Sequence, residues 1–242
     1  MTNPFRDQEK FMKACDQSVN EFNKDQFNYL GNVLRKHNGD KISVFNGISG
    51  EWEASITFHG KRSIHLLIEK KILEQVIAPD IMLCFSNIRK NRVSFIIEKG
   101  TELGVRTFQP IITEHTQSAS FNISKARYQS VQAAEQTQRL DIPEIMNPKS
   151  LSELLRDWDN NRILLYADEK KAVLSPVDVI SNISPPVGIL IGPEGGFSST
   201  ERNCLISKTF TRSISLGPRV LRSDTASLSL LTLYQAISGD WC

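Results

Sequence analysis

Apolar positions change period once along this chain, and the change divides it. In residues 1–72 they sit in short alternating runs, KISVFN (41–46), EWEASITF (51–58) and SIHLLIE (63–69), parted by glycine-containing turns. Short β-branched and aromatic runs between turn residues predict strands. With the preceding YLGNVLR segment they predict a small β-barrel over 1–72. From LEQVIAPD (73–80) onward, buried runs alternate with helical spacing. DIMLCFS (80–86), TFQPII (107–112), RILLYA (162–167), VGILI (187–191) and SISL (213–216) read as strands. Val93, Ile96, Ile97, Gly100 and Leu103 share one helix face, with Gly104 as its C-cap. Further helices are expected over 123–140 and 223–238. Strands alternating with helices to the end of the chain predict an α/β domain over 73–242, a mainly parallel sheet covered on both faces.

Two strand ends in the second part carry glycine loops. VGILI runs into Gly192-Pro193-Glu194-Gly195-Gly196, and Ser198 with Glu201 has the spacing of a capping box, so a helix starts there. SISL runs into Gly217-Pro218-Arg219-Val220-Leu221-Arg222, again followed by a helix. In open α/β sheets ligands lie at the carboxyl edge of the strands, and glycine lets main-chain groups approach them directly. Adjacent strands would join both loops into one pocket. Neither loop contains GK[ST], and no GxGxxG occurs, so a P-loop and a dinucleotide fingerprint are both excluded. Glu194 would repel a polyphosphate and suits a ligand with cationic or hydroxyl groups.

Composition narrows the remainder. The 242 residues are 40% hydrophobic and 23% charged, the balance of a globular protein. A net charge of +2 favours no partner class, so local clusters such as Arg89-Lys90-Asn91-Arg92 carry more information. Cys15, Cys84, Cys204 and Cys242 are scattered, without a CxxC, and the four histidines lack ligand spacing. The expectation is reduced thiols, no metal, no membrane span and a cytoplasmic location.

The segments LIGPEGGFSSTE (190–201) and LGPRVLRSDTASLSLLTLYQ (216–235) resemble the two signatures of the 16S ribosomal RNA uridine-N3 methyltransferases, a SPOUT-class family. FIIEKGTELGVRTFQPIITE (95–114), AAEQTQRLDIPEI (133–145) and VLRKHNGDKISVFNG (33–47) extend the resemblance in the right order. It implies an N-terminal PUA-like barrel that helps hold RNA. It also implies a trefoil-knotted parallel sheet, a homodimer, and S-adenosyl-L-methionine as methyl donor. The donor would lie against Gly192, Pro193, Glu194, Gly195 and Gly196 on one side. Leu216, Gly217, Val220, Leu221 and Arg222 would form the other, and Tyr166 to Asp168 are a weaker third element. Glu194, Arg222 and Asp224 are the catalytic candidates, with capping of the turn as the alternative role for Glu194. Arg35, Arg139 and Arg219 are candidates for RNA, joined by Lys36, Lys61 and Arg62 as phosphate contacts. Tyr29, His115 and the Ser223-Asp224 pair depart from the family's usual residues at those places. The alternatives are a SPOUT methyltransferase of another RNA, or a non-catalytic RNA-binding protein of ribosome assembly.

Overall fold

The computed structural model describes residues 27–60, 63–86, 90–116, 120–168 and 175–241. Cys15, Cys242, Lys61, Arg62 and Arg89 lie outside the described residues. The chain forms two compact units, residues 1–77 with 134–142, and residues 78–133 with 143–242. The return of 134–142 to the first unit is absent from the sequence pattern, which ran a single helix through this stretch.

In the first unit, β1 (Lys41–Phe45), β2 (Glu51–His59) and β3 (Ser63–Leu73) make an antiparallel sheet in the order β1-β2-β3. Val44, Ala54, Ile56, Ile64 and Leu66 are its fully buried face, with Leu30 packed in the same cluster. Among the described residues this is a three-stranded sheet. The segment expected to complete a barrel is instead a π-helical turn, Tyr29–Val33, which buries Leu30. Arg139 N–H closes a turn onto Ala134 O at 2.9 Å, and Gln138 takes φ 59°.

The second unit is built on a parallel sheet of β4 (Ile81–Ser86), β5 (Thr107–Ile112), β6 (Glu144–Ile145), β7 (Lys149–Ser150), β8 (Ile163–Ala167), β9 (Val187–Ile191) and β10 (Thr211–Ile214). The order is β10-β8-β9-β4-β5-β6, with β7 also on β5. Its helices are α1 (Lys90–Glu102), α2 (Ile123–Gln136), α3 (Leu151–Arg156), α4 (Pro176–Ile180), α5 (Ser199–Ile206) and α6 (Ser223–Ser238). Alternation along the strands feeds two cores. Ile81, Leu83 and Phe85 join Ile96 and Ile97 of α1 and Leu230, Leu231 and Tyr234 of α6. Cys84, Leu164, Tyr166 and Leu190 join Leu154 and Leu155 of α3 and Leu205 of α5 on the other face. Burial lifts the Tyr234 hydroxyl and the Cys84 thiol to about 12, so both stay protonated in neutral solution.

Several expected boundaries move. α2 stops at Gln136 rather than 140, where the Gln138 turn intervenes. The last strand is Thr211–Ile214, two residues earlier than SISL, because Ser215 and Leu216 leave the sheet edge. α3 and α4 are too short to show a helical period, yet Ser150 and Glu153 form a complete capping box for α3. The box foreseen at Ser198 and Glu201 is present at the start of α5.

At the amino edge of the sheet, Arg162 donates to both Asp80 carboxylate oxygens at 3.1 and 2.7 Å and to Val187 O at 3.2 Å. That fork ties the starts of β4, β8 and β9 together and leaves the carboxyl edge to bear the loops.

Candidate active site

The loops after β9 and β10 meet at the carboxyl edge, but the strands are not neighbours. β8 runs between them, paired in parallel with both. Ala167 and Asp168, at the end of β8, therefore sit between the two glycine loops. The resulting cleft is lined by Ile191, Gly192, Pro193, Gly196 and Phe197 from the first loop, and by Leu216, Gly217, Arg219, Leu221 and Ser223 from the second. Arg202 of α5 and Ala226 of α6 complete it together with the β8 end. The empty space within it, its open mouth included, is about 590 Å³.

Each loop has a physical reason for its glycines. Gly196 takes φ +67° and Gly217 φ +97°, the left-handed region that a Cβ disfavours. Gly195 lies under His115, where an added Cβ would stand 3.2 Å from the histidine Cβ. His115 Nδ1 donates to Gly195 O at 3.2 Å and Gly196 O at 3.0 Å, a geometry that requires the Nδ1–H tautomer. Glu201 accepts from Glu114 N–H at 3.0 Å as well as from Ser198 N–H at 2.9 Å. The turn after β5 thus docks onto the loop after β9 and holds its shape.

The expected residues divide into three groups. Gly192, Pro193, Gly196, Leu216, Gly217, Arg219 and Leu221 line the cleft. Glu194, Gly195, Val220 and Arg222 lie on the same loops without lining it, all exposed. Tyr166 does not face the cleft: it sits buried and edge-on to Phe197 at 6.4 Å. Burial raises its hydroxyl above the ordinary tyrosine range, partly offset by a hydrogen bond with Ser213. Arg139 also departs from its expected place on a helix face. It follows the end of α2, belongs to the first unit, and donates from Nε and Nη2 to Asp141 at 2.7 and 2.8 Å. Arg35, also in the first unit, is exposed with φ 51°.

The two carboxylates differ sharply. Asp224 is held by Arg92 of α1, whose Nη1 lies 3.2 Å from both carboxylate oxygens. Both oxygens of Asp224 are thereby engaged by a cation. Glu194 is exposed and forms no hydrogen bond or ion pair among the described residues.

Sequence reasoning missed three contributors. Phe197 is buried behind Gly192 and lines the cleft. Arg202 pairs with Asp168, Nε to Oδ2, at 3.0 Å, and carries no motif. Ser223 is only 3% exposed, and its Oγ is the sole buried side-chain polar atom without a partner among the described residues. Among the described residues, no group of three His, Cys, Asp or Glu side chains is placed to hold a metal, and no helix is long and apolar enough to cross a membrane.

The parallel sheet with a main-chain-lined cleft at its carboxyl edge defines an α/β ligand-binding domain, and comparison with known proteins makes the class specific. Residues 77–235 match the family model of an RNA methyltransferase domain, and residues 22–69 that of an RNA methyltransferase PUA domain. The chain is 32% identical to the ribosomal RNA small subunit methyltransferase E of Rickettsia conorii, covering 88% of this chain and 87% of that one. It is also 32% identical to the protein of that name from Buchnera aphidicola subsp. Schizaphis graminum, covering 96% and 95%. A Legionella pneumophila methyltransferase solved with bound SAM is similar over 93% of each chain, with 30% identity and a TM-score of 0.81. The Neisseria gonorrhoeae ribosomal RNA small subunit methyltransferase E, bound to S-adenosyl methionine, shares 25% identity and a TM-score of 0.81, covering 93% of this chain and 94% of that one. The chain belongs to the ribosomal RNA small subunit methyltransferase E family.

Proposed function

We propose that this protein methylates N3 of a uridine in small-subunit ribosomal RNA, using S-adenosyl-L-methionine held in the cleft between the two glycine loops. The observation that carries the reading is the cleft itself, in a chain of this family. The residues present fit the donor. Ile191, Phe197, Leu216, Leu221 and Ala226 offer apolar surface to an adenosyl group, and the unpartnered Ser223 Oγ offers a hydrogen bond that the protein does not complete. Buried hydroxyls are nearly always paired, so such an orphan marks a place for a ligand group.

When bound, the donor supplies an electrophilic methyl group to the uracil nitrogen. The protein's own residues do the remaining work. Uracil N3 carries a proton in its neutral form, so a base assists. Glu194 fits that role better than Asp224, since it is unpaired on the loop and Asp224 is neutralised by Arg92. Arg219 on the cleft wall and exposed Arg222 beside it stabilise the developing uracil anion or grip a flanking phosphate. Holding N3 in line with the methyl group contributes much of the rate. Since N3 is hidden in a paired base, the target must be unpaired or swung out. Arg35 and Lys36 in the PUA-like unit supply phosphate contacts in this reading.

The family resemblance also supports a knotted chain path and a homodimer. In the second unit Phe95, Val220 and Trp241 are 41%, 74% and 55% exposed, apolar surface of the kind that pairing covers. Light scattering of the full chain tests the dimer.

Replacing Ser223 by alanine separates ligand from fold. The free protein should keep or raise its thermal midpoint, because an unpaired buried hydroxyl is removed. Donor affinity should fall about 2- to 10-fold, the worth of one hydrogen bond. Calorimetric titration and thermal denaturation check the pair. For function itself, small-subunit RNA from a deletion strain should lack one N3-methyluridine, restored by purified protein and donor. An unchanged modification map in that strain overturns the assignment.

A further inference from the structure

Resting on the proposal that the cleft takes S-adenosylmethionine, we infer that Arg202 binds the carboxylate of its amino-acid end, with Asp168 as the residue that positions it. Arg202 projects from α5 into the cleft wall beside the β8 end. Its side chain is 12% exposed and that of Asp168 is 0% exposed, so the ion pair between them is almost fully withdrawn from water. Nε donates to Asp168 Oδ2 at 3.0 Å. The terminal nitrogens Nη1 and Nη2 donate to no group among the described residues.

A guanidinium has five N–H donors in a planar fork, and burying it with most of them unused is costly. Asp168 offsets the charge and fixes the rotation of the fork through its Nε edge. The terminal N–H groups remain for a partner. A carboxylate matches them in shape and charge, since two parallel N–H···O bonds form at once. The donor carries a single carboxylate, at the amino-acid end, whereas its nucleoside end presents a flat apolar ring and hydroxyls. The apolar side chains and Ser223 suit the nucleoside. Arg202 suits the other end. Arg219 is the remaining cation lining the cleft, and it stands exposed on the second loop, open to RNA.

The test compares two ligands that share the nucleoside and differ at the amino acid. S-Adenosylhomocysteine has the carboxylate; 5′-methylthioadenosine lacks it. Each is titrated calorimetrically into the wild-type full chain and into R202M. Because R202M alone removes the Arg202 pairing of buried Asp168, the double variant R202M/D168N is measured beside it. We expect S-adenosylhomocysteine to lose about 10- to 100-fold in affinity in both variants, the range for hydrogen bonds to a charged group. Methylthioadenosine should bind all three proteins equally, which also reports an intact cleft. Equal losses for both ligands, or no loss for either in the double variant, overturn the role of Arg202. Failure of the wild-type protein to bind either ligand strikes instead at the donor reading of the cleft.

Discussion

Gly217→Val is expected to weaken donor binding by about 5- to 100-fold while leaving the overall fold in place. Gly217 lines the cleft at φ +97°, and a Cβ added there would meet nothing within 4 Å. The substitution therefore causes no collision. Its cost is the backbone conformation alone, about 1–3 kcal/mol for a β-branched residue in a disfavoured region. In the free protein the exposed loop can relax to negative φ, so that cost falls on binding. Gly39, in the first unit, is the control: it has φ +87° and nothing within 4 Å of its Cβ. Gly39→Val should leave donor affinity unchanged. Equal donor affinity of wild type and Gly217→Val in calorimetry would mean that the loop does not hold the ligand in this conformation.

Gly188→Val should have the largest effect on stability. Gly188 is the second residue of β9, and its Cβ would lie 2.5 Å from Trp158 Cη2, 2.6 Å from Cζ2 and 2.9 Å from Leu164 Cδ1. Trp158 has little room to retreat. Its indole N–H donates to Arg162 O at 2.7 Å, and its ring stacks on Phe210 at 6.2 Å. Overpacking of this kind costs about 1–3 kcal/mol or more, and valine adds two methyl groups beyond the colliding Cβ. Denaturant unfolding should show a lower midpoint with little change in slope. A wild-type midpoint would show that the Trp158 side chain moves freely, contrary to its contacts.

These two glycines illustrate what was legible in the sequence. Gly217 follows a strand and precedes a helix, so its place in a ligand loop could be read directly. Gly188 lies inside an apolar strand, and only the tertiary contact with Trp158 explains it. The alternation of strands and helices was visible because each buried strand is a continuous apolar run. The order of those strands was not. Periodicity does not reveal that β8 lies between β9 and β10, so the place of Arg202 beside Asp168 went unseen. Tyr166 packs into the core against Phe197, and only its neighbours Ala167 and Asp168, at the very end of the strand, reach the cleft. Arg139 was read on a helix that ends three residues earlier at Gln136. Ser223 looks like an ordinary start to a helix, and only burial exposes its missing partner.

The central claim is that the two glycine loops and the β8 end close on one methyl-donor site. Calorimetric titration of the purified full chain with S-adenosylhomocysteine tests it most directly, with Gly217→Val in parallel. Saturable binding of one ligand per chain, weakened in the variant, is the predicted result. No heat of binding to the wild-type protein, or saturation unaffected by the variant, would contradict it.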